Sequence, residues 1–158
     1  MLWLLRHAEA ADGRPDEARP LTPRGIHQAR AAGLALARLG VSFDACLTSP
    51  KRRALETARL ACQALGLEPI TEPALAGGSY NPERLAAGFD EVLLVGHNPT
   101  ISIALGDLTG ARVSLRKAGL AAVRRGELVL LLTPRELFAI AGVEAGADAG
   151  AAGEAEGA

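Results

Sequence analysis

Two unbroken apolar runs constrain this chain more than any other feature. Leu2-Trp3-Leu4-Leu5 and Val92-Leu93-Leu94-Val95 contain no charged residue and no alternation with polar ones. A strand with one wet face alternates apolar and polar side chains. A run without alternation belongs to a strand covered on both faces, as in a mainly parallel sheet between layers of helices. Both runs stop abruptly at groups that can do chemistry: Arg6-His7 in the first, Gly96-His97-Asn98-Pro99 in the second.

Helical patterns separate the strands. Thr22-Pro23 offers a cap and a first helical proline, and Ile26, Ala29, Leu34, Ala37 and Leu39 give that helix an apolar side as far as Gly40. Phe43 to Thr48 reads as a strand. Ser49-Pro50 repeats the cap-and-proline signal for a helix to Leu65, closed by Gly66, and Asn98-Pro99 repeats it again. Ala10 to Arg19 reads as a loop, residues 67–80 as a short strand with a Gly-rich loop, and Asn81 to Ala87 as one or two helical turns. Leu120–Val123 and Leu128–Leu132 form an expected hairpin across Arg125-Gly126, followed by a short helix from Pro134 to Ala141. The alternation predicts one three-layer α/β domain over residues 1–141, its central sheet mostly parallel and flanked by helices on both faces. Residues 142–158 are almost all Ala, Gly and acid, offer no core, and are expected to form a flexible tail.

Composition narrows the function. No apolar run is long enough to cross a bilayer, and the apolar start lacks the flanks of a signal peptide, so no membrane association is expected. Cys46 and Cys62 lie in apolar patterns without metal-type spacing and read as reduced core thiols of a cytoplasmic protein. The net charge of −1 hides an asymmetry: Glu144, Asp148, Glu154 and Glu156 follow Ala141 with no Lys or Arg, and the other 14 acids face 17 basic residues. A mildly basic body fits an anionic ligand, though it is also ordinary for a domain of this size. With 3% aromatic residues and no basic stripe, no nucleic-acid partner is expected.

The candidate chemistry lies where strands meet helices, the edge at which open α/β sheets bind ligands. Lys51-Arg52-Arg53 places cations at the start of a helix, where the helix dipole favours acids. An anion bound at that helix end would resolve the conflict. Successive helix residues project about 100° apart, so Arg53 is the candidate for the pocket, with Lys51 and Arg52 left to solvent. The competing reading is that all three extend into water. Taken singly, Arg6-His7 reads as an exposed pair and His97 as a loop histidine. Taken together, His7, His97, Arg6 and Arg53 form a set suited to phosphoryl transfer, with one imidazole as nucleophile and fixed cations on the equatorial oxygens. With His27 the only other histidine, expected at the surface, and no His-x-x-x-His or Cys pair, no metal or other cofactor is expected.

These residues carry a family resemblance. Leu4-Leu5-Arg6-His7-Ala8-Glu9, Leu21-Thr22-Pro23-Arg24-Gly25, Leu47 through Ala58 and Val95-Gly96-His97-Asn98-Pro99 resemble, in order and spacing, the histidine phosphatase superfamily with its phosphoglycerate-mutase-like fold. The short length and Arg19-Pro20-Leu21-Thr22 are similar to its SixA-type phosphohistidine phosphatases. The resemblance implies His7 as nucleophile, with Arg6, Arg53 and His97 completing the phosphate pocket and Arg19 adding a contact. It implies a phosphorylated substrate, a phosphohistidine protein in the SixA-type reading. A small-molecule phosphomonoesterase and a non-catalytic phospholigand-binding module are the alternatives. There are two departures. Ala8 stands where the best-known form of the motif has Gly, and no general acid is evident beyond the weak candidates Glu9 and Glu72.

Overall fold

The apolar runs form the centre of the sheet. The structure is a computed structural model and describes residues 1–146. Its elements are β1 (Leu2–Arg6), α1 (Pro23–Arg38), β2 (Ala45–Thr48), α2 (Arg52–Leu65), β3 (Ile70–Thr71), α3 (Pro82–Leu85), β4 (Val92–Gly96), α4 (Thr100–Thr109), β5 (Leu120–Arg124), β6 (Glu127–Leu132) and α5 (Pro134–Ala141). The six strands are ordered β3-β2-β4-β1-β5-β6. β3, β2, β4 and β1 run parallel, and β5 is antiparallel to both β1 and β6.

Both faces of the middle strands are covered, as the missing alternation requires. Trp3 and Leu5 of β1, with Leu93 and Val95 of β4, pack among the helical residues Ala32, Leu36, Ala58 and Leu137. Leu2, Leu4, Val92 and Leu94 face the other layer, with Ile101 and Leu105 of α4. Cys46 and Cys62 are buried free thiols, as expected. The expected hairpin forms, and its turn residues Arg125 and Gly126 both have positive φ (52° and 78°), the geometry that matches strand twist in a two-residue loop.

Helix starts differ from the sequence reading at two places. Thr22 caps α1 through its side chain, which accepts from the Gly25 N–H, with Pro23 as first residue. The other two cap-and-proline signals are offset. α2 begins at Arg52, with Lys51 at its cap. α4 begins at Thr100, with Pro99 at its cap. In both places the expected capping side chain has a partner away from the helix start, although Ser49 Oγ also accepts from the Lys51 N–H. Ser49 Oγ meets His97, and the Asn98 amide donates to the Leu115 carbonyl while its oxygen accepts from Ser102. The Ala10–Arg19 loop contains a 3₁₀ turn at Asp16–Ala18.

The body continues past Ala141. Val143 packs against the core, and the Glu144 carbonyl accepts from His27 Nε2 at 2.7 Å. His27 is therefore half-buried, its ring 5.0 Å from that of Phe138. The remainder of the expected tail, residues 147–158, lies outside the described residues.

The layer of α1 and α2 sets where the first residues of α2 stand, and it depends on a close backbone approach. A Cβ on Gly33 would lie 2.3 Å from the Ala61 carbonyl oxygen. Alanine would gain about 1 kcal/mol of helix propensity but force the helices apart, at a cost of roughly 1–3 kcal/mol or more for overpacking. Gly33→Ala is therefore expected to lower the melting temperature. A rise would show that the two helices can separate freely.

Candidate active site

His7 follows directly on β1 at the carboxyl edge of the sheet. Its N–H donates to the Gly96 carbonyl (2.9 Å), and its carbonyl accepts from Ala118 N–H (3.1 Å). The next residue, Ala8, donates its N–H to Thr57 Oγ1 of α2 (3.0 Å). Ala8 is fully buried with Leu21, Ala29 and Ala118 and has no positive φ, so the departure from glycine fills a small apolar cluster and strains nothing. The His7 ring is oriented by the backbone of the next residue: Nδ1 lies 2.7 Å from the Ala8 carbonyl. A carbonyl only accepts, so Nδ1 carries the proton and the Nε2 lone pair is left for chemistry.

His97 stands opposite, with ring centroids 5.1 Å apart. Its Nε2 is 2.7 Å from Ser49 Oγ, which also accepts from the Lys51 N–H. Ser49 can use its own proton on Nε2, which leaves Nδ1 protonated; that atom is buried and has no hydrogen-bond partner. Burial holds both rings neutral. It takes His7 down to about 4, against the Ala8 hydrogen bond and with help from Arg53, Arg6 and Lys117. It takes His97 down to about 3, helped by His7, Arg53 and Lys51 and opposed by Asp16.

The cations gather on one carboxylate. Arg53 is buried, and its Nη1 and Nη2 donate to the Asp16 carbonyl (2.8 Å) and carboxylate (3.1 Å), while Nε has no partner. Lys51 Nζ (3.0 Å) and Arg19 Nη1 (3.1 Å) reach the same carboxylate. Lys51 first, then Arg19 and Arg53, hold Asp16 well below the usual carboxylate range. Arg52 instead pairs with Glu56 one turn on. Arg6 donates through Nη1 to the Leu115 carbonyl (2.9 Å). The acid candidates are engaged elsewhere: Glu9 accepts from Thr22 and pairs with Arg24, and Glu72 accepts from the Ala74 N–H of a 3₁₀ turn. A depression of about 470 Å³ opens at the opposite end of the sheet, beside Met1, Leu2 and Asp90, far from these groups in register.

A family model described as histidine phosphatase superfamily (branch 1) matches residues 2–82. The chain belongs to that superfamily. An uncharacterized protein of Picosynechococcus is 36% identical over 87% of this chain and 98% of its own length. A 2,3-bisphosphoglycerate-dependent phosphoglycerate mutase of Methylobacterium radiotolerans is 41% identical, but over 43% of this chain and 30% of its own. Among solved structures, the protein histidine phosphatase SixA complexed with tungstate superposes with a TM-score of 0.75 at 23% identity, covering 86% of this chain and 98% of that one. A SixA of Nakamurella multipartitia gives 0.70 at 25% identity, covering 84% and 95%. The fold is that of the SixA-like, phosphoglycerate-mutase-like domains, and the enzyme class is phosphatase.

In this histidine phosphatase, the structure brings His7, His97 and Arg53 to one corner, with Arg6 near enough to act on His7 and Arg19 joined to Arg53 through Asp16. Sequence reasoning missed Asp16, Ser49, Thr57 and Lys117. Ser49 and Thr57 lay inside a quoted motif, and their polar character at otherwise apolar helix and strand-end positions was the available signal. Asp16 and Lys117 sit in loops and had none.

The lowered histidine pKa values tie stability to pH. In the unfolded chain both rings take protons near 6.5, but the native site refuses them until about 4 for His7. The unfolded state therefore binds more protons in this window, and stability must fall as pH drops from about 6.5 to 4. Urea unfolding across that range should show a shallower pH slope for His7→Gln than for the wild type. Identical slopes would mean that His7 titrates normally.

Proposed function

We propose that this phosphatase works in two steps through a phosphohistidine on His7 and that its substrate is a phosphohistidine carried on a protein. The observation that carries the first part is the bond from His7 Nδ1–H to the Ala8 carbonyl, which leaves Nε2 unprotonated on a neutral ring. Nε2 attacks phosphorus, and the bond from phosphorus to the leaving group breaks. Water then attacks phospho-His7, releasing phosphate and restoring the imidazole, with the water's second proton passing to solvent. Arg53 Nε, His97 Nδ1 and the Arg6 guanidinium are the donors for the equatorial oxygens. Arg19 contributes through the cationic cluster it shares with Arg53.

The three carboxylates considered as acids, Glu9, Glu72 and Asp16, are all committed elsewhere, and this supports the phosphohistidine substrate. Glu9 and Glu72 are engaged structurally, and Asp16 is held ionised by its cations. An alkoxide needs that proton, whereas a protonated phosphoimidazole leaves neutral. The SixA-like neighbours agree with a phosphorylated substrate. The reading uses no metal: among the described residues no three of His, Cys, Asp and Glu cluster as ligands. No helix among them is long and apolar enough to cross a membrane. Two buried free thiols fit a reducing cytoplasm.

His7→Ala should abolish turnover and any acid-labile phosphoenzyme while the protein remains folded. A histidine-linked phosphate persisting in the variant would refute the assignment, and a chelator-induced loss reversed by one added metal would refute the metal-free route. General acid help is worth roughly 10²–10⁴-fold, about 3–5 kcal/mol. Rates across a series of phosphate esters should therefore fall steeply as leaving-group pKa rises, with phosphohistidine and aryl phosphates far ahead of serine or sugar phosphates. A flat series, with phosphorylation of His7 rate-limiting, would show that an acid operates and would remove the basis for phosphohistidine preference.

A further inference from the structure

The Tyr80 hydroxyl is buried at the carboxyl edge of the sheet and has no hydrogen-bond partner. Its ring packs on the core layer that holds Leu94, Ile101 and Leu105, which a phenylalanine would serve equally well. Shutting an unsatisfied hydroxyl away from water is costly, so its presence calls for a partner that arrives later.

The surroundings identify that partner. A Cβ built on Gly96 would find the Tyr80 oxygen at 4.0 Å and, beyond its chain neighbours, no other heavy atom within 4 Å. The hydroxyl thus faces a small unfilled nook where position 96 carries no side chain. Gly96 is the last residue of β4 and the register partner of Arg6. Leu2 and Leu4 share the Tyr80 face of the sheet with their partners Val92 and Leu94, so by alternation Arg6 and position 96 point the same way. Tyr80, the missing Cβ and the Arg6 side chain thus lie on one face at the carboxyl edge of the sheet, where His7 and His97 follow as the next residue of each chain segment.

We propose that the Tyr80 hydroxyl is a direct ligand of the transferring phosphoryl group, donating a hydrogen bond to a non-bridging oxygen beside Arg6. This makes Tyr80 a catalytic residue and rests on the phosphatase reading above. The ligand class is a tetrahedral oxyanion, a phosphate ester or phosphoramidate. Burial pushes the phenol up to about 12, so it remains a donor at any working pH.

Tyr80 is the only tyrosine in the chain, so one probe reports on it alone. Orthovanadate and inorganic phosphate should bind Tyr80→Phe at least about tenfold more weakly, the loss of one hydrogen bond to a charged group. kcat/KM for an aryl phosphate should fall at least as far. The anion-free melting temperature should not drop, because the lost hydroxyl had no partner. In protein labelled with 3-fluorotyrosine, the single fluorine resonance should shift on vanadate addition and saturate with the vanadate Kd. Equal vanadate affinity in wild type and Tyr80→Phe, with phospho-His7 formed by both, would overturn the role of Tyr80 and leave the phosphatase reading intact. A wild type that neither binds vanadate nor forms phospho-His7 would overturn both.

Discussion

One hydroxyl joins the two halves of the site. Thr57 Oγ1 donates to the Arg53 carbonyl one turn earlier in α2 (2.7 Å) and accepts from the Ala8 N–H (3.0 Å). The first bond is an ordinary back-bond of a helical threonine. The second turns the helix into a ledge for the chain leaving β1. His7 hangs between this bond and the one to Gly96, so its position relative to Arg53 is set by backbone and not by long side chains. A valine of the same shape would leave a buried N–H unsatisfied, a cost of roughly 1–3 kcal/mol at the residue next to the nucleophilic candidate. Neighbouring positions extend the same seam. Glu56 accepts from the Leu21 N–H, and Gly25 lets α1 approach Glu9, where a Cβ would lie 1.9 Å from the Glu9 carbonyl oxygen.

Charge is balanced locally before any ligand arrives. The cations at the start of α2 oppose the helix dipole, and the structure answers with Asp16 and Glu56. Arg52 is neutralised along the helix by Glu56, while Lys51, Arg53 and Arg19 share Asp16. Asp16 therefore occupies the role an anion would otherwise take at the mouth of the pocket. Arg53 keeps its buried Nε clear of this arrangement. On the proposed function, an arriving phosphoryl group would meet a guanidinium already oriented by its outer nitrogens. The ordering entropy that a long side chain loses on binding is spent at folding.

The sheet and its order of elements were legible because burial on both faces writes itself as missing alternation, seen in Leu2–Leu5 and Val92–Val95 and realised in β1 and β4. Arg53 was separable from Arg52 by helix phase alone, and one is buried while the other is exposed. The reading failed where a side chain had two possible uses. Ser49 and Asn98 each looked like a helix cap, but beside their local contacts to Lys51 and Ser102 each also meets a partner distant in sequence, His97 and Leu115. No local pattern encodes that choice. The same holds for Asp16, whose importance comes from three cations brought to it by folding, and for Tyr80, whose hydroxyl is notable only because folding leaves it alone.

Proton supply is where these observations converge. On the proposed function, in which no acid operates, the leaving group's proton comes from the substrate or from water. Near the site, Asp16 is ionised by its neighbours, and Glu9 and Glu72 spend their oxygens on backbone and side-chain donors. Burial holds His7 and His97 neutral, and the one proton on His7 is committed to the Ala8 carbonyl. The Tyr80 phenol holds its proton to about 12, which suits it to donating a hydrogen bond and not to giving the proton away. The site is therefore rich in fixed donors and poor in transferable protons. Such a site stabilises the phosphoryl group equally in every substrate, and selectivity passes to the group that departs. On the proposed function, a leaving imidazole that carries its own proton is the leaving group such an environment would suit.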